Sequence, residues 1–443
     1  MASKYPTLNL KAVLQETGLK ADVLRAWERR YGLPAPQRTE GGHRLYSEYD
    51  VQTIKWLLLR QSEGLAISRA VSLWQEQMNQ GMDPLAGRLM GNSAPSLSSV
   101  ATPGLANNLD EIRSAWIRAA LAYNEGVAEM ELNQAFAVYP VEMVCLNVLQ
   151  RGISDIGRMW HEGRVTVQQE HYISALAQRR LDSLLLAAPP PTRPHTIMVG
   201  CPANEWHSFV PMLMSLFMRR RGYNVIYLGP NVPSARFSES LEQIRPTLVV
   251  LSAQQLTSAA ELSRLSAALV GMNANVAFGG RIFNLQPALR QCISGTFLGE
   301  TIEMAIDQVE RSIVDTRRRE YVVSAPSSTH QETLQKFHQY RTAVEAVLTT
   351  TVLADGRLDS EMLEQANLFM GDNLQAALAL GDLSYLDLEI EWLRALLRTY
   401  DLPIELIPYY LQTYANALRA TMNGSATLIY QWVESHTARA WKN

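Results

Sequence analysis

TIMVGCPANEWHSFVPML, residues 196–213, reads as a β-strand, a loop that contains a histidine, and the start of an apolar helix. Further short runs rich in β-branched or apolar residues follow at helix-length intervals, namely NVIYLG (224–229), TLVVLSA (247–253), ANVAFGG (274–280) and GTFLGE (295–300). Strands separated by helix-length segments are typical of βαβ units. We therefore predict a parallel sheet covered by helices over residues 194–318.

The loop after the first strand is a candidate ligand site. Open α/β sheets bind ligands at the carboxyl ends of their strands, and His207 follows the first strand directly. An imidazole at that edge can ligate a metal, and Glu205 could orient it. Small residues at later strand ends would let a large ligand approach the backbone. These residues are Gly229, Ser252, Gly279 and Gly280.

Helical spacing precedes the sheet. Residues 108–190 place apolar residues three and four apart, which predicts a bundle of several helices. Within it, MWHEGRVTVQQEHYIS (159–174) holds Trp160, His161, Glu170 and His171 close together. A single histidine in a helix is more often structural than a ligand, so these residues must be weighed as a set together with His207.

The N-terminal segment differs from the rest of the chain in charge. Residues 1–75 hold eleven Lys and Arg against seven Asp and Glu, so the net charge of −3 divides into +4 for this segment and −7 for the remainder. A small basic module on an acidic body suggests that only the N-terminus binds nucleic acid.

Residues 1–79 predict a winged helix-turn-helix. Two helices would meet at a turn marked by Gly18, with the second at about 21–31, and the Gly41–Gly42 pair fits the tip of a basic hairpin. Such a module places a helix in the major groove and a hairpin wing on the phosphates. The expected DNA contacts are Arg25, Arg29, Arg30, Arg38, His43, Arg44 and Tyr46. The alternative is that the arginines form surface salt bridges with Glu28 and Glu40.

The order LRAWERRYGLP (24–34), RT (38–39), GGHRLYS (41–47) and Asp50 resembles the MerR-family DNA-binding domain over its whole length. That resemblance implies a homo-oligomer, at least a dimer, bound to double-stranded DNA at a promoter or operator.

The helical bundle followed by the parallel sheet resembles the cobalamin-binding Rossmann-like domain with its helical cap. In that family the histidine of an Asp-x-His-x-x-Gly loop is the lower ligand of cobalt. Here Glu205 stands in place of the aspartate and Val210 in place of the glycine, while His207 keeps the ligand position. The resemblance therefore implies that His207 binds cobalt.

Trp160–His161 followed by Glu170–His171 resembles the signature of CarH-type light-sensing repressors, in the same domain order over residues 5 to about 315. That resemblance implies adenosylcobalamin as chromophore, with Trp160 packed over the upper face of the corrin. It also implies that His161 can ligate cobalt once the adenosyl group has left, and that Glu170 and His171 contact the surroundings of the upper ligand. Photolysis would then change a dimer or tetramer and release DNA.

The chemistry expected of these residues is regulatory. No acid–base cluster is evident that would act on a substrate beside the cobalt, so we expect a regulator in which cobalamin is a chromophore and not a catalyst. Two alternatives stay open: a corrinoid methyl-transfer protein fused to a regulator, and a MerR-type regulator that senses cobalamin without light.

Residues 330–443 predict about five helices, at 331–353, 359–379, 383–399, 404–422 and 424–438. Asp359–Ser360 would cap the second helix, and an apolar stripe would run through Leu386, Ile390, Leu393 and Leu397. The length is sufficient for the segment to bury its own core. One interpretation is an all-helical module for assembly or docking.

The other interpretation is a resemblance, weaker than the others, to the globin-like helical domain that follows a cobalamin domain in photocobilins, which bind a bilin. This segment has no cysteine, so biliverdin would bind non-covalently. Candidate pocket residues are His330, His338, His436, Tyr340, Tyr385, Trp392, Tyr400, Tyr409 and Tyr410.

Composition fits a cytoplasmic protein without a membrane span. The hydrophobic fraction is 47% and the charged fraction 19%, no apolar run approaches the ~20 residues of a membrane helix, and the N-terminus lacks the apolar core of a signal peptide. Cys145, Cys201 and Cys292 are scattered, as expected in a reducing compartment. The fold class is multidomain α and α/β. The expected domains are a winged helix-turn-helix (1–79), a linker (80–107), a helical-bundle cap (108–190), a Rossmann-like domain (194–318) and an all-α domain (330–443).

Overall fold

A computed structural model describes residues 5–17, 19, 21–38, 44–62, 67–79, 103–315, 321–422, 424 and 426–437. The chain divides into two compact units, Met1–Ser98 and Ser99–Asn443. Gly18, the Gly41–Gly42 hairpin tip, His43 and residues 80–102 of the predicted linker lie outside the described residues. Over the described ranges, no helix is long and apolar enough to cross a membrane.

The N-terminal unit combines helices with a small antiparallel sheet of order β1-β3-β2. Its elements are β1 (Pro6–Asn9), α1 (Leu10–Thr17), α2 (Ala21–Tyr31), β2 (Gln37–Arg38), β3 (Arg44–Ser47), α3 (Glu48–Ser62) and α4 (Ile67–Asn79). The second helix has the predicted bounds. β2 and β3 pair as the two sides of the predicted hairpin, with Arg38 opposite Arg44. Leu24, Trp27, Trp56 and Trp74 are among the buried residues of the core.

The second unit begins with a helical bundle. Its elements are α5 (Pro103–Leu121), α6 (Glu125–Val138), α7 (Val141–Val144), a π-helical segment (Cys145–Gln150), α8 (Arg151–His161) and α9 (Val167–Leu186). The predicted linker is wrong over residues 103–107, because they belong to α5. The helix begins at Pro103, and proline is favoured at the first position of a helix, where its missing N–H costs no hydrogen bond. At the start of α9, Thr166 and Gln169 form a reciprocal capping box.

A five-stranded parallel sheet follows, as predicted, with order β5-β4-β6-β7-β8. Its elements are β4 (Thr196–Pro202), α10 (Phe209–Arg220), β5 (Asn224–Val232), α11 (Phe237–Ile244), β6 (Leu248–Ser252), α12 (Leu256–Gly271), β7 (Val276–Gly279), α13 (Arg281–Leu285), a 3₁₀ turn (Pro287–Cys292), β8 (Thr296–Phe297) and α14 (Ile302–Val314). The strand order reverses between β4 and β6. That is the point where open α/β sheets bind ligands.

The C-terminal segment is helical, and its bounds lie close to the predicted ones. Its elements are α15 (Ser328–Asp355), α16 (Ser360–Leu380), a 3₁₀ turn (Leu383–Leu386), α17 (Asp387–Thr399), α18 (Leu406–Met422) and α19 (Thr427–Thr437). The carboxylate of Asp359 accepts a hydrogen bond from the Met362 N–H at 2.8 Å and so caps α16, as expected. Leu386, Ile390 and Leu397 of the apolar stripe are buried, and Leu393 is partly buried.

The core of these C-terminal helices is continuous with the core of the sheet domain. Helix α16 packs against α12 of the sheet domain, and one cluster of buried side chains runs through both. Gln286 Nε2 also donates a hydrogen bond to the carbonyl of Tyr385 at 2.9 Å. The C-terminal helices therefore pack against one another and also cover the outer face of α12.

Candidate functional site

A cleft of about 1770 Å³ opens between the helical bundle and the carboxyl edge of the sheet. Drug-sized ligand pockets occupy roughly 300–1,000 Å³, so this cleft suits a larger molecule. Eight of the ten predicted cofactor residues line it. They are Trp160, His161, Glu170, His171, His207, Ser252, Gly279 and Gly280.

The loop after β4 is held by a buried carboxylate. Glu205 is fully buried, and its Oε1 lies 2.8 Å from His207 Nδ1 and accepts the backbone N–H of His207 at 2.9 Å. Its Oε2 accepts the backbone N–H of Gln254 at 2.5 Å and the hydroxyl of Ser258 at 2.6 Å. Gln254 follows β6 and Ser258 lies in α12. The Glu205 carboxylate therefore links the loop after β4 to the segment after β6 at the switch point.

The pKa shifts of Glu205 and His207 follow from these hydrogen bonds. Burial by itself would raise the pKa of the Glu205 carboxyl, but hydrogen bonds from His207, Ser258 and the Gln254 backbone hold it below its ordinary value. The bond to Glu205 in turn raises the pKa of His207. A ring nitrogen held by a carboxylate fixes the orientation of the imidazole and leaves the other nitrogen for a metal. With its side chain 60% exposed, His207 can present Nε2 to the cleft.

The opposite wall comes from α8 and α9. Trp160 Nε1 and His161 Nδ1 are buried atoms of cleft-lining residues, and neither has a hydrogen-bond partner among the described residues. Glu170 Oε2 lies 2.7 Å from His171 Nδ1, and Glu170 Oε1 accepts the hydroxyl of Ser174 at 2.7 Å. Buried polar atoms are normally satisfied, so these two nitrogens are exceptions in the wall of the cleft.

The floor of the cleft is shaped by small residues at the strand ends. Gly280 has φ +125°, and a Cβ there would lie 1.9 Å from the carbonyl oxygen of Ala253, so only glycine fits. The expectation for Gly229 is not met. It lies inside β5 at φ +85°, beside a register shift with β4, and it does not line the cleft.

A third wall was not predicted. The C-terminal helices α16 and α17 contribute cleft-lining side chains, among them Phe369, Asp372, Glu389 and Trp392. Of the predicted bilin residues, Trp392 lines this cleft, whereas Tyr410 and His436 are buried in the helical core. Those candidates therefore do not converge on one pocket. No local sequence signal marks the third wall, because it depends on how α16 and α17 pack against the bundle and the sheet.

The second candidate site is the exposed face of α2. Arg25, Arg29 and Arg30 are exposed there, while Leu24 and Trp27 of the same helix are buried. This is the arrangement of a basic helix that presents side chains to a groove.

The predicted wing contacts need one correction. Arg44 Nε forms an ion pair with Glu28 Oε2 at 2.8 Å, which was the alternative considered for the arginines. Tyr46 is fully buried on the central strand, and its hydroxyl donates to Glu28 Oε1 at 2.6 Å. Burial and that bond raise the pKa of Tyr46. A ring enclosed in the core cannot contact DNA, so the DNA-binding role of Tyr46 is wrong.

Three family models match the chain. Residues 8–77 match the MerR HTH family regulatory protein, residues 112–185 match one B12 binding domain, and residues 195–306 match another. The matches coincide with the N-terminal unit, the helical bundle and the parallel sheet described above. They support a DNA-binding regulator of the MerR type that binds cobalamin.

Relatives agree with this reading. The HTH-type transcriptional repressor CarH of Myxococcus xanthus is 33% identical over 273 residues, which are 61% of this chain and 87% of that protein. The repressor CarA of the same organism is 28% identical over 56% of this chain and 76% of its own length. The regulator MlrA of Escherichia coli (strain K12) is 27% identical over 48% of this chain and 97% of its own length. Each relative carries the name of a transcriptional regulator and not of an enzyme. The chain therefore belongs to the family of the HTH-type transcriptional repressor CarH.

Proposed function

We propose that this chain is a light-responsive repressor that uses adenosylcobalamin as its chromophore. The observation that carries the proposal is the cleft, in which His207 on the sheet and Trp160 and His161 on α8 line one cavity. Adenosylcobalamin supplies a cobalt–carbon bond that light can break.

Different residues of the chain would contact the two faces of the corrin. His207, oriented by Glu205, would bind cobalt from below through Nε2. The indole of Trp160 would pack against the adenosyl group from above, and Glu170 with His171 would contact its surroundings. After illumination Trp160 would lose the group that it packs against, and His161 would be free to turn toward the metal.

The output would be DNA binding by a homo-oligomer. Arg25, Arg29 and Arg30 on α2 are the proposed groove contacts, with Arg38 and Arg44 on the wing and His43 between them in sequence. A change in the cap on illumination would bias the oligomeric state, which in turn would set the affinity for the operator.

Absorbance spectra of the purified chain with adenosylcobalamin, before and after green light, test the proposal. We expect a stable spectrum in the dark, a change on illumination without any substrate, and a parallel loss of operator binding in a gel-shift assay. Operator binding that responds to cobalamin but not to light would favour a light-independent sensor. A spectrum that changes only with a methyl donor or acceptor would favour a methyl-transfer protein.

Biliverdin remains a separate prediction for residues 330–443. Chain produced with a supply of biliverdin would gain absorbance in the red if it binds, and acid denaturation would release the pigment because the segment has no cysteine. Without a red band, the C-terminal helices serve packing and assembly.

A further inference from the structure

The last turn of α8 packs against α17. The ring of His161 stacks on the ring of Trp392, with centroids 6.2 Å apart and planes 20° apart. Trp392 stacks on Phe369 of α16 in turn, at 5.8 Å and 25°. These three rings lie in a row along the wall of the cleft, from α8 through α17 to α16.

The backbone at the same place is fixed by a second contact. Thr399 Oγ1 donates a hydrogen bond to the carbonyl of His161 at 2.7 Å. Gly163, two residues later, has φ +70°, and a Cβ there would lie 2.9 Å from Thr399 Cγ2. The chain therefore needs glycine where it turns away from α17, and both the ring and the carbonyl of His161 are held from the C-terminal side.

This contact limits how the His161 imidazole can move. Its Nδ1 is buried without a hydrogen-bond partner among the described residues, so within the protein the ring is held by stacking and not by a polar bond at that atom. To turn toward the centre of the cleft, the ring must give up its contact with Trp392. Stacking between aromatic rings contributes beyond the burial of their area, so leaving it costs free energy.

We propose that Trp392 is a positioning residue that restrains His161 at the cobalamin cleft, and that the C-terminal helices thereby control how readily His161 binds cobalt. This inference rests on the proposed function, because it gives a role to the residue named there as the upper ligand. It gives α17 a role at the cobalamin cleft, which a separate C-terminal module would not have.

The test uses hydroxocobalamin, whose upper ligand exchanges in the dark, so that no light step is needed. The full chain and its variants are mixed with hydroxocobalamin, and the rate at which the absorbance spectrum converts to the form with imidazole on both faces is measured. Trp392→Leu should convert roughly 2- to 10-fold faster than the wild type, since it loses the stack. Trp392→Phe keeps a ring and should stay within a factor of about two.

Two controls separate positioning from general damage. Leu353→Ala removes an exposed apolar side chain of α15 that does not line the cleft, so it should behave as the wild type. In ligand-free chain labelled with ¹³C-histidine, the imidazole protons of His161, assigned through His161→Gln, should lose their ring-current shift in Trp392→Leu and keep it in Trp392→Phe.

The outcomes are distinct. Equal conversion rates for Trp392→Leu and the wild type, with conversion abolished in His161→Gln, would overturn the role of Trp392 and leave the proposed function standing. Unaltered conversion in His161→Gln would overturn both the inference and the role of His161 as upper ligand. Failure of the wild type to bind either hydroxocobalamin or adenosylcobalamin would overturn the cobalamin function itself.

Discussion

Replacing Glu205 by alanine should loosen the loop that carries His207. The change removes the acceptor of four hydrogen bonds, two of which come from the backbone N–H of the partly buried Gln254 and from the hydroxyl of the buried Ser258. Leaving a buried donor unsatisfied costs about 1–3 kcal/mol. The two donors of His207 can turn to water because its side chain is 60% exposed, so they add little.

Relief of the buried charge offsets part of this loss. The Ser258 hydroxyl can turn to the carbonyl of Gln255, which lies 3.0 Å away. One donor, the Gln254 N–H, is then left unsatisfied, so we expect the free energy of unfolding to fall by about 1–2 kcal/mol. Urea denaturation of the ligand-free full chain measures this change. Ser258→Ala removes one donor and keeps the carboxylate, so it should lie between Glu205→Ala and the wild type.

Glu239→Ala provides a matched control, because this carboxylate is exposed and, among the described residues, pairs with the exposed Arg236. It should leave the unfolding transition unchanged. The spectrum gives a second readout, since Glu205→Ala should also weaken cobalamin binding through a freely turning His207. Wild-type stability together with wild-type cobalamin affinity in Glu205→Ala would show that this carboxylate does not hold the loop.

Three other changes test separate parts of the molecule. His207→Ala should give a cobalamin spectrum without a lower imidazole ligand, or no binding; a wild-type spectrum at full occupancy would remove His207 from the site. Arg44→Ala on the wing should weaken operator binding and lower the dependence of log affinity on log salt by about 0.9, the value of one phosphate contact. An unchanged salt slope would place Arg44 away from the phosphates. Deleting residues 325–443 should give an aggregating or strongly destabilised protein, because the core shared by α12 and α16 would open; a stable truncated protein with full cobalamin affinity would contradict that reading.

Much of the fold follows from periodicity that is local in the sequence. The strands were predictable because each is a short run of buried β-branched or apolar residues between helix-length segments. The C-terminal helices were predictable to within a few residues because Asp359 caps one of them and glycines end others. His207 was predictable as a site residue because its position after β4 decides at which edge of the sheet it lies.

What could not be predicted depends on contacts between distant segments. Tyr46 lies among basic wing residues in sequence, but it is on the central strand and points into the core. Gly229 follows the pattern of the other strand-end glycines, yet a register shift in β5 takes it out of the cleft. Trp392 meets His161 across more than two hundred residues, and neither neighbourhood carries a signal of the other.

The core shared by α12 and α16 has a consequence for how this architecture could have arisen. A segment that completes the core of its neighbour cannot be appended or lost in a single step, because the neighbour would then expose apolar side chains to water. Gain of the C-terminal helices must have been accompanied by substitutions on the outward face of α12. In chains of this family that end near the sheet domain, we expect polar residues at the α12 positions that α16 covers here. The residues on the outward face of α12, which lies outside the C-terminal helices, should thus differ between chains that have those helices and chains that do not.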